Sequence, residues 1–299
     1  MSAPAEAEPA GYLGPAGTFS EEALLSSAAE GRVQPVALAS IAQTVLALLA
    51  GEVRWAVVPI ENSLEGSIGV TLDLLAGEGA GARIVGETRL HVRHSLIASE
   101  PVALEEIRTV FSHPAVPGQC SRFLRGELAQ AELLPASSTA EAVRAVVAAG
   151  DRSRAALGTV LAAEIYGGAV IRAGVEDRAD NETRFAWLAR AEDAVIAPPL
   201  RASGGERRCA VVFWGAGAKR AGWLVLCLDA FAKRGINLTK IESRPQRSVM
   251  GAYMFFAELE GDETDDPVAE ALAALADLCE HVAVLGSYAA AEPGAAATP

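Results

Sequence analysis

The sequence contains very little lysine, and all of it lies near the C-terminal end. Only Lys219, Lys233 and Lys240 are lysines among the 25 basic residues, so the first 218 positions contain none. A pyridoxal Schiff base or a Walker-type phosphate site cannot be built in that stretch, because each depends on a lysine amine. Any anion site there must use arginine, backbone N–H groups or hydroxyls.

Cysteines and long apolar runs are scarce as well. The four cysteines are not spaced as CxxC and predict reduced thiols rather than a disulfide framework. No apolar run approaches the ~18 residues that cross a bilayer. Residues 1–9 lack the basic region and apolar core of a signal peptide. These absences predict a cytoplasmic protein that has no membrane partner.

The charge balance is acidic, with 25 basic and 38 acidic residues giving a net charge of −13. Phosphate backbones repel such a protein, and no basic patch is visible, so nucleic acid is not an expected partner. The composition, 51% hydrophobic and 21% charged, is that of a globular protein. A length of 299 residues predicts about two domains.

Residues 10–190 alternate short apolar strands with amphipathic helices. Strands are predicted near 55–60, 108–111, 155–157 and 185–188, and helices near 41–49 and 142–147. This alternation predicts an α/β fold with a mainly parallel sheet. A stretch of about 180 residues has room for two lobes with a cleft between them.

Residues 191–206 read as a linker, because prolines and glycines there are mixed with charges. Residues 207–288 predict a compact unit of order βαββαβ, which is ferredoxin-like. Its strands are expected at 209–214, 237–244, 252–259 and 282–288, and its helices at 222–234 and 267–281. The two ends, 1–9 and 289–299, are rich in Ala, Pro and Glu and predict disorder.

Two hydroxyl-bearing segments precede predicted helices. In 11–23 a Gly-rich turn leads to Thr18 or Ser20 as the helix cap, and in 136–142 Ser138 begins a capping-box pattern. The free N–H groups of a first helical turn favour a carboxylate. The alternative is that both segments are ordinary capped turns.

A polar loop, 58–69, follows the predicted strand at 55–60. Ligands of open α/β sheets gather beyond such strand ends. The carboxylates of Glu61 and Glu65 are candidates for acid–base chemistry or for orienting neighbouring groups. Asn62 and Ser63 suit hydrogen bonding to an uncharged or anionic ligand.

Another polar segment, 180–185, leads directly into a strand. Thr183 and Arg184 are consecutive, so they alternate across the strand's two faces. An arginine that faces the cleft would pair with a carboxylate through two parallel hydrogen bonds.

Segment 111–121 contains His113 and Cys120, which raise the alternative of a Cys–His nucleophile pair. His113 precedes Pro114, so its backbone is held extended and its ring has the alternative of satisfying a turn. His91 and His94 are spaced as HxxH without a neighbouring Cys or carboxylate, and no metal site is predicted.

In 234–245 a predicted strand alternates and closes on a proline. Glu242 and Arg244 share one face, where they can pair with each other or hold a zwitterion. The segment 222–225 opens the preceding helix and offers free N–H groups.

Taken together, these six segments resemble the prephenate dehydratase family over roughly residues 10–288, in the family's order. The resemblance is carried by the GPxGTFS opening, the PIENS…EG loop, the SHP…QC segment, the Ser/Thr cap, the Thr-Arg-Phe triplet and INLTKIESRP. It implies a two-lobed, periplasmic-binding-protein-like (type II) catalytic domain at 10–190, a linker at 191–206 and an ACT regulatory domain at 207–288.

The implied reaction converts prephenate to phenylpyruvate, water and carbon dioxide, with no metal and no organic cofactor. Thr183 is the residue most closely tied to catalysis in this family, and we assign its hydroxyl to the departing oxygen. The other residues on family active-site positions are Arg184, Phe185, Asn62, Ser112 and Gln119. Thr18, Ser63, Ser138 and Thr139 are expected to bind the substrate, in a cleft lined by arginine and hydroxyls.

The resemblance places an L-phenylalanine effector at an interface between ACT domains, and therefore implies a homodimer or homotetramer. The implied effector residues are Gly222, Leu224, Val225, Asn237, Leu238, Glu242, Ser243, Arg244 and Pro245. Trp223 stands where the family usually has alanine, which leaves weaker inhibition or another aromatic amino acid as alternatives. For the whole chain, the alternatives are arogenate dehydratase and a non-catalytic cytosolic sensor of aromatic acids.

Overall fold

The computed structural model describes residues 6–201, 205–215, 220–246 and 250–291. Their elements form three sheets that follow one another along the chain, apart from one strand that returns to the first sheet. Two α/β lobes and a βαββαβ unit result, so the predicted fold class is confirmed.

The first lobe holds a mixed sheet of order β2-β1-β3-β11-β5, with the short β4 paired to β3. The elements before the chain leaves this lobe are β1 (Glu8–Leu13), α1 (Phe19–Ser27), β2 (Val33–Leu38), α2 (Ile41–Leu49), β3 (Trp55–Asn62), β4 (Gly66–Ser67), α3 (Gly69–Ala76) and β5 (Ala82–His91).

The second lobe holds a mixed sheet of order β10-β6-β9-β7-β8. Its elements are β6 (Ser95–Ala98), β7 (Thr109–Ser112), α4 (Val116–Gln119), α5 (Ser121–Glu127), β8 (Glu132–Pro135), α6 (Thr139–Ala149), β9 (Arg154–Gly158), α7 (Val160–Tyr166) and β10 (Ala169–Ala173). The chain then re-enters the first lobe as β11 (Glu182–Arg190).

The sheets of the two lobes are mixed rather than mainly parallel. In the first lobe β11 runs antiparallel to both of its neighbours, β3 and β5, because it arrives from the other lobe without a crossover helix. In the second lobe β6 is antiparallel to β9 and β10 for the equivalent reason. The five-strand order of each lobe therefore contains one reversed strand, which is second from an edge and next to a crossing between the lobes.

The third sheet is antiparallel, of order β13-β14-β12-β15. Its unit consists of β12 (Arg207–Trp214), α8 (Trp223–Ala232), β13 (Leu238–Pro245), β14 (Tyr253–Glu260), α9 (Asp266–Ala276) and β15 (His281–Ala289). Both helices pack on one face, over a core that includes Val211, Phe213 and Leu259.

The other face of this third sheet packs against the first lobe. Val212, Phe256 and Tyr288 share one buried cluster with Val58 and Leu188 of the first lobe. The backbones approach closely, because a Cβ on Gly286 of β15 would lie 2.1 Å from the carbonyl oxygen of Ile84 in β5. The βαββαβ unit and the first lobe therefore share one hydrophobic core.

The ends of several elements differ from the sequence expectations. β1 begins at Glu8 and β15 continues to Ala289, so the predicted disorder extends too far inward at both ends; residues 1–5 and 292–299 lie outside the described residues. α9 ends at Ala276, because the apolar alternation that follows belongs to β15. In the predicted linker, Leu200 forms a β-bridge with Ala28, while 202–204 lie outside the described residues.

The two lobes touch beside the cleft, where α7 packs on the turn before α1. Thr159 Oγ1 donates to the Gly17 carbonyl at 2.7 Å, and Tyr166 Oη donates to the Ala16 carbonyl at 2.8 Å. Gly17 has φ +86°, and a Cβ there would lie 2.8 Å from Ala162, so glycine serves both the turn and the contact.

Candidate active site

A cleft of about 770 Å³ lies between the two lobes, a size that suits a small organic ligand. Its walls come from the turn before α1, the ends of β3 and β11, the segment around α4 and the start of α6. Seven predicted site residues line it, and these are Thr18, Asn62, Gln119, Ser138, Thr139, Thr183 and Phe185.

Asn62 and Thr183 are directly paired across β3 and β11. The Asn62 Oδ1 atom accepts from the backbone N–H groups of Leu64 and Glu65 at 2.9 and 3.0 Å, which fixes the orientation of the amide. Its Nδ2 therefore faces Thr183 and donates to Oγ1 at 3.0 Å. Because Thr183 Oγ1 accepts this bond, its own proton is left for a ligand in the cleft.

A chain of polar side chains continues from Asn62 across the base of the cleft. Asn62 Nδ2 donates to Asn181 Oδ1 at 2.9 Å, and Asn181 Nδ2 donates to Gln119 Oε1 at 3.2 Å. The same oxygen lies 3.2 Å from His94 Nε2, which must carry the proton if it is to donate. This chain joins β3 and β11 of the first lobe to α4 of the second.

His94 is buried at the edge of this chain. Burial lowers the pKa of its imidazole, and the hydrogen bond with Gln119 and the charge of Glu176 only partly oppose that shift. The ring packs edge-on against Phe19, with centroids 5.4 Å apart. His94 is therefore a neutral hydrogen-bonding group at neutral pH.

The N-termini of two helices open into the cleft. Ser138 caps α6 by accepting from the Glu141 N–H at 3.0 Å, and Thr18 caps α1 by accepting from the Glu21 N–H at 3.4 Å. The Glu141 carboxylate pairs with Arg144 instead of completing the capping box. The Glu21 carboxylate, by contrast, turns back to the Gly17 N–H at 2.5 Å, so an internal anion already occupies the turn before α1.

Neither arginine nor lysine appears among the described residues that line the cleft. This corrects the expectation of an arginine-lined crevice. A bound anion would meet helix N-termini, hydroxyls, amides and histidines there, which are neutral donors in a partly enclosed space.

Arg184 is predicted at the catalytic centre, and the structure places it elsewhere. Its side chain leaves the opposite face of β11 from Thr183 and binds Glu61 at 2.5 Å, Glu87 at 2.7 Å and Glu258 at 2.9 Å. Burial alone would lower its pKa, but Glu258 and Glu87 hold the pKa above its usual value. The physical reason is the period of two along a strand, which sends consecutive side chains to opposite faces.

Two predicted serines do not line the cleft: Ser112 is buried, and Ser63 is exposed outside it. Ser112 is 2% exposed and donates to the His113 carbonyl at 3.1 Å. Ser63 accepts from the Glu182 N–H at 3.0 Å and lies 3.3 Å from Asn181 Oδ1. Ser63 therefore holds Asn181 in place.

The Cys–His alternative finds no support in the geometry. His113 lines the cleft, whereas Cys120 is fully buried in the core of the second lobe. Burial, with the charges of Glu176 and Asp177, raises the pKa of the Cys120 thiol to about 12. A thiol in that state is a poor nucleophile.

The cleft residues that the sequence analysis did not name as ligand contacts include Phe19, His94 and Asn181. Asn181 lies two residues before Thr183, and its position between two strands was the available signal. His94 was considered only as a metal ligand, because the closeness of Gln119 depends on the fold.

The predicted effector residues separate into two groups. Gly222, Leu224 and Val225 line a pocket of about 190 Å³ at the start of α8, together with Arg220, Tyr253 and Phe255. Trp223 also borders this pocket, but its ring is buried against Phe213 and Phe255, and its Nε1 donates to the Leu278 carbonyl at 2.8 Å.

The second group lies outside that pocket: Asn237, Leu238, Glu242, Ser243, Arg244 and Pro245. Asn237 binds Glu260, and Leu238 packs in the core under the helices. Arg244 binds Asp73 of the first lobe through both carboxylate oxygens, at 2.6 and 3.0 Å, and lies 3.4 Å from Glu242. Arg244 and Glu242 therefore face the first lobe.

Among the described residues, no three His, Cys, Asp or Glu side chains are grouped as a metal site would require. None of their helices is long and apolar enough to cross a membrane.

Comparison with known proteins gives two family matches. The prephenate dehydratase model matches residues 10–193, and the ACT domain model matches residues 228–277. A curated prephenate dehydratase from Mycolicibacterium vanbaalenii is 37% identical over 301 residues, covering 96% of this chain and 93% of the relative.

Two solved structures are similar along nearly the whole chain. A prephenate dehydratase from Arthrobacter aurescens in complex with L-Phe is 32% identical with a TM-score of 0.83, covering 97% of this chain and 93% of that one. A protein described as a novel type of quorum quenching acylase is 27% identical with a TM-score of 0.79, covering 95% of this chain and 98% of that one.

Proposed function

This chain belongs to the prephenate dehydratase family, and we propose that the cleft between its lobes carries out that family's reaction with the residues described above. The substrate is prephenate, a dianion with a hydroxyl on a cyclohexadiene ring. The ring carboxylate leaves as carbon dioxide, and its bonding pair enters the ring. The hydroxyl leaves with the C–O electron pair and takes up one proton, so that phenylpyruvate and water form.

The driving force lies in the substrate, because the ring becomes aromatic. The protein therefore has to orient the dianion and stabilise the departing oxygen. The main observation behind this proposal is the fixed orientation of the Asn62 amide. Its Nδ2 donates a hydrogen bond to Thr183 Oγ1, so the Thr183 hydroxyl proton remains available to a ligand in the cleft. Thr183 donates a hydrogen bond to the departing oxygen.

A substrate carboxylate binds at the N-terminus of α6. Ser138 and Thr139 offer hydroxyls and first-turn N–H groups there, and the only first-turn carboxylate, Glu141, is paired with Arg144. Thr18 is the weaker of the two helix-cap candidates, since its hydroxyl already donates to the Leu13 carbonyl at 2.8 Å. Gln119 and Phe185 complete the walls around the ring.

Product analysis tests this function. Purified full-length protein is mixed with prephenate, and phenylpyruvate is measured by its absorbance in base. We expect multiple turnovers, and binding of prephenate without product would leave only the sensor alternative. A parallel assay with arogenate is expected to give slower conversion to phenylalanine; faster conversion would assign the chain to arogenate instead.

L-phenylalanine regulates the chain and binds between the βαββαβ units of two copies, which we call the regulatory units. Gly222–Val225 lie at the start of α8, and Asn237–Leu238 follow its end, so the 10-residue helix separates them by about 15 Å. One amino acid cannot contact both groups within one copy. A second copy supplies the missing group, and Val225 and Leu226 of α8 offer the exposed apolar surface, at 67% and 52% exposure.

A homodimer or homotetramer follows from this arrangement, and we propose a cytoplasmic location for it. Light scattering after size-exclusion chromatography measures the assembly, and titration of activity with phenylalanine, tyrosine and tryptophan identifies the effector. Since Trp223 is buried in the regulatory core, we expect phenylalanine to inhibit most strongly. A monomer, or no response to any of the three, would contradict the regulatory part alone.

A further inference from the structure

The strands β3 and β11 have two faces of opposite character. Asn62 pairs with Thr183 on the cleft side, and the preceding pair, Glu61 with Arg184, projects to the other side. A bulge follows immediately, because Arg184 pairs with Glu61 while the next residue, Phe185, pairs with Pro59. Bulges of this kind re-aim side chains next to active sites.

Behind these strands lies a group of six charged side chains that we call the interface cluster. The first lobe contributes Glu61, Glu87 and Arg184, and the regulatory unit contributes Arg208, Lys240 and Glu258. Arg184 is at the centre and touches all three glutamates. Lys240 Nζ lies 3.4 Å from Glu61, and Arg208 lies 3.7 Å from Glu87 and 3.8 Å from Glu258.

The cluster is largely shielded from water. The Glu87 side chain is fully buried, while those of Arg184 and Glu258 are 12% and 11% exposed. Burial alone would raise the pKa of Glu61, but Lys240 and Arg184 hold the pKa below its usual value. At low dielectric each charge depends strongly on its partners, so a shift of one partner is felt by the others.

The residues of both halves of the cluster adjoin functional residues in the sequence or share a strand with them. Arg184 and Glu61 directly adjoin Thr183 and Asn62. Lys240 belongs to β13, the strand that also carries Glu242 and Arg244 of the predicted effector motif. Glu258 lies opposite Lys240 on β14.

We propose that Arg184 and Glu61 are positioning residues for Thr183 and Asn62, and that Lys240 and Glu258 of the regulatory unit help to set their positions. The interface cluster then couples effector binding to catalysis. When β13 and β14 move relative to the first lobe, Arg184 and Glu61 lose or regain partners. The backbone at the bulge adjusts, and the Asn62–Thr183 hydrogen bond changes with it. This inference rests on the proposed function.

The first experiment compares Lys240→Met, Lys240→Arg and Glu258→Gln with Lys233→Met as a matched control. Lys233 also belongs to the regulatory unit, but it is exposed and pairs with Asp229 in its own helix. We expect Lys240→Met and Glu258→Gln to lower kcat by about 5-fold or more, the lower end of typical coupling between sites. The KM for prephenate stays within twofold, Lys240→Arg restores kcat, and Lys233→Met is unchanged.

The same variants are then titrated with phenylalanine. We expect Lys240→Met and Glu258→Gln to bind phenylalanine in calorimetry as the unmodified protein does, yet to retain most of their activity when saturated with it. An unmodified protein that forms no phenylpyruvate overturns the proposed function. A turnover-competent protein whose Lys240→Met and Glu258→Gln variants keep normal kcat and normal inhibition overturns this inference alone.

A double-mutant cycle keeps the test decisive even if one variant folds poorly or phenylalanine has no effect. Lys240→Met and Glu61→Gln are combined, and kcat is measured for the four proteins. We expect the double variant to lose no more than the worse single variant, because Lys240 acts through Glu61. Multiplicative losses would show that the two residues act independently and would overturn the coupling.

Discussion

The two faces of the β3–β11 strand pair differ in charge, although the residues that form them are adjacent in the sequence. On the cleft side, Asn62 and Thr183 form a neutral hydrogen-bonded pair, and no described arginine or lysine lines the wall. On the far side, one residue earlier or later, Glu61 and Arg184 belong to a dense group of charges. Among the described residues, the face that binds the substrate dianion has no arginine or lysine, whereas the opposite face, which binds no ligand, has several.

The difference follows from what each side must do. A site that releases its product benefits from many moderate donors, such as amides, hydroxyls and helix N-termini, which hold an anion without a permanent countercharge. A surface that joins two domains can use buried ion pairs, because each charge finds its partners within the folded chain. In the described residues, positive charge is therefore concentrated at the domain contact, and the cleft offers neutral donors to a bound anion.

The largest expected effect comes from Thr183→Val, which removes the hydroxyl and keeps the shape. We expect kcat to fall by about 10²–10³, the typical loss of one hydrogen-bond donor to a developing negative charge. Thr183→Ser keeps a hydroxyl and should retain partial activity. Steady-state assays of phenylpyruvate formation measure both variants.

Stability provides the contrast for the same pair of variants. Thermal unfolding should change little for Thr183→Val, since Asn62 Nδ2, which loses Thr183 Oγ1 as an acceptor, keeps its hydrogen bond to Asn181 Oδ1. Full activity of Thr183→Val would contradict a catalytic role for the cleft side of the β3–β11 strand pair.

The second prediction concerns Arg184→Met on the charged side. The change leaves the carboxylates of Glu61, Glu87 and Glu258 without their central partner in a buried place. We expect the free energy of unfolding to fall by about 3 kcal/mol or more, as when one partner of a buried ion pair is removed. Urea denaturation followed by circular dichroism measures it.

Arg178→Met is the matched control, because Arg178 is an exposed arginine paired only with Asp180. Such a surface pair contributes little to stability. If Arg184→Met unfolded at the same urea concentration as the control, the charged side would not hold the domains together.

Much of the fold could be predicted from local patterns. The α/β alternation, the βαββαβ unit and helix caps such as Ser138 depend on nearby residues, and the structure agrees with them. The mixed sheets could not be predicted in this way. The reversal of β11 depends on the chain visiting the second lobe first, which periodicity does not record.

The same distinction between nearby residues and distant contacts applies to the site. Thr183, Asn62 and Gln119 carry family motifs and do meet at the cleft. Arg184 belongs to the same motif, but its carboxylate partners lie 123, 97 and 74 positions away in the sequence. Only the packing of the third sheet on the first lobe brings Glu258 to it, and no local pattern encodes that contact.

The third prediction concerns the hydrogen bonds that run from Asn62 through Asn181 to Gln119 and His94, which we call the neutral network. Gln119→Met breaks the links to Asn181, His94 and Glu65 while filling a similar volume. We expect kcat to fall by about 10-fold, equivalent to one hydrogen bond of ordinary net strength. Gln130→Met, at a surface glutamine of the same lobe, should leave kcat unchanged. Equal activities of the two variants would confine the network to Asn62 and Thr183.

The smallest expected effect is at the lobe contact, where two like charges meet without the compensation that the interface cluster has. Burial, and then the charge of Glu164 on α7, raise the pKa of Glu22 on α1 to about 7. A carboxyl whose pKa is raised on folding stabilises the folded state at low pH. This stabilisation declines as the pH rises from about 4.5 to about 7, because the unfolded chain releases its proton first.

Glu22→Gln removes that pH dependence. We expect the variant to melt about 2 °C higher than the unmodified protein at pH 8 and at nearly the same temperature at pH 4.5, where position 22 is neutral in the folded state of both proteins. Glu30→Gln, an exposed glutamate just after α1, serves as the control and should show no difference at either pH. Removing a negative charge at the lobe contact therefore stabilises the protein, whereas removing a charge from the interface cluster destabilises it. A lower melting temperature for Glu22→Gln at pH 8 would mean that Glu22 has a favourable partner, and the lobe contact would then resemble the cluster.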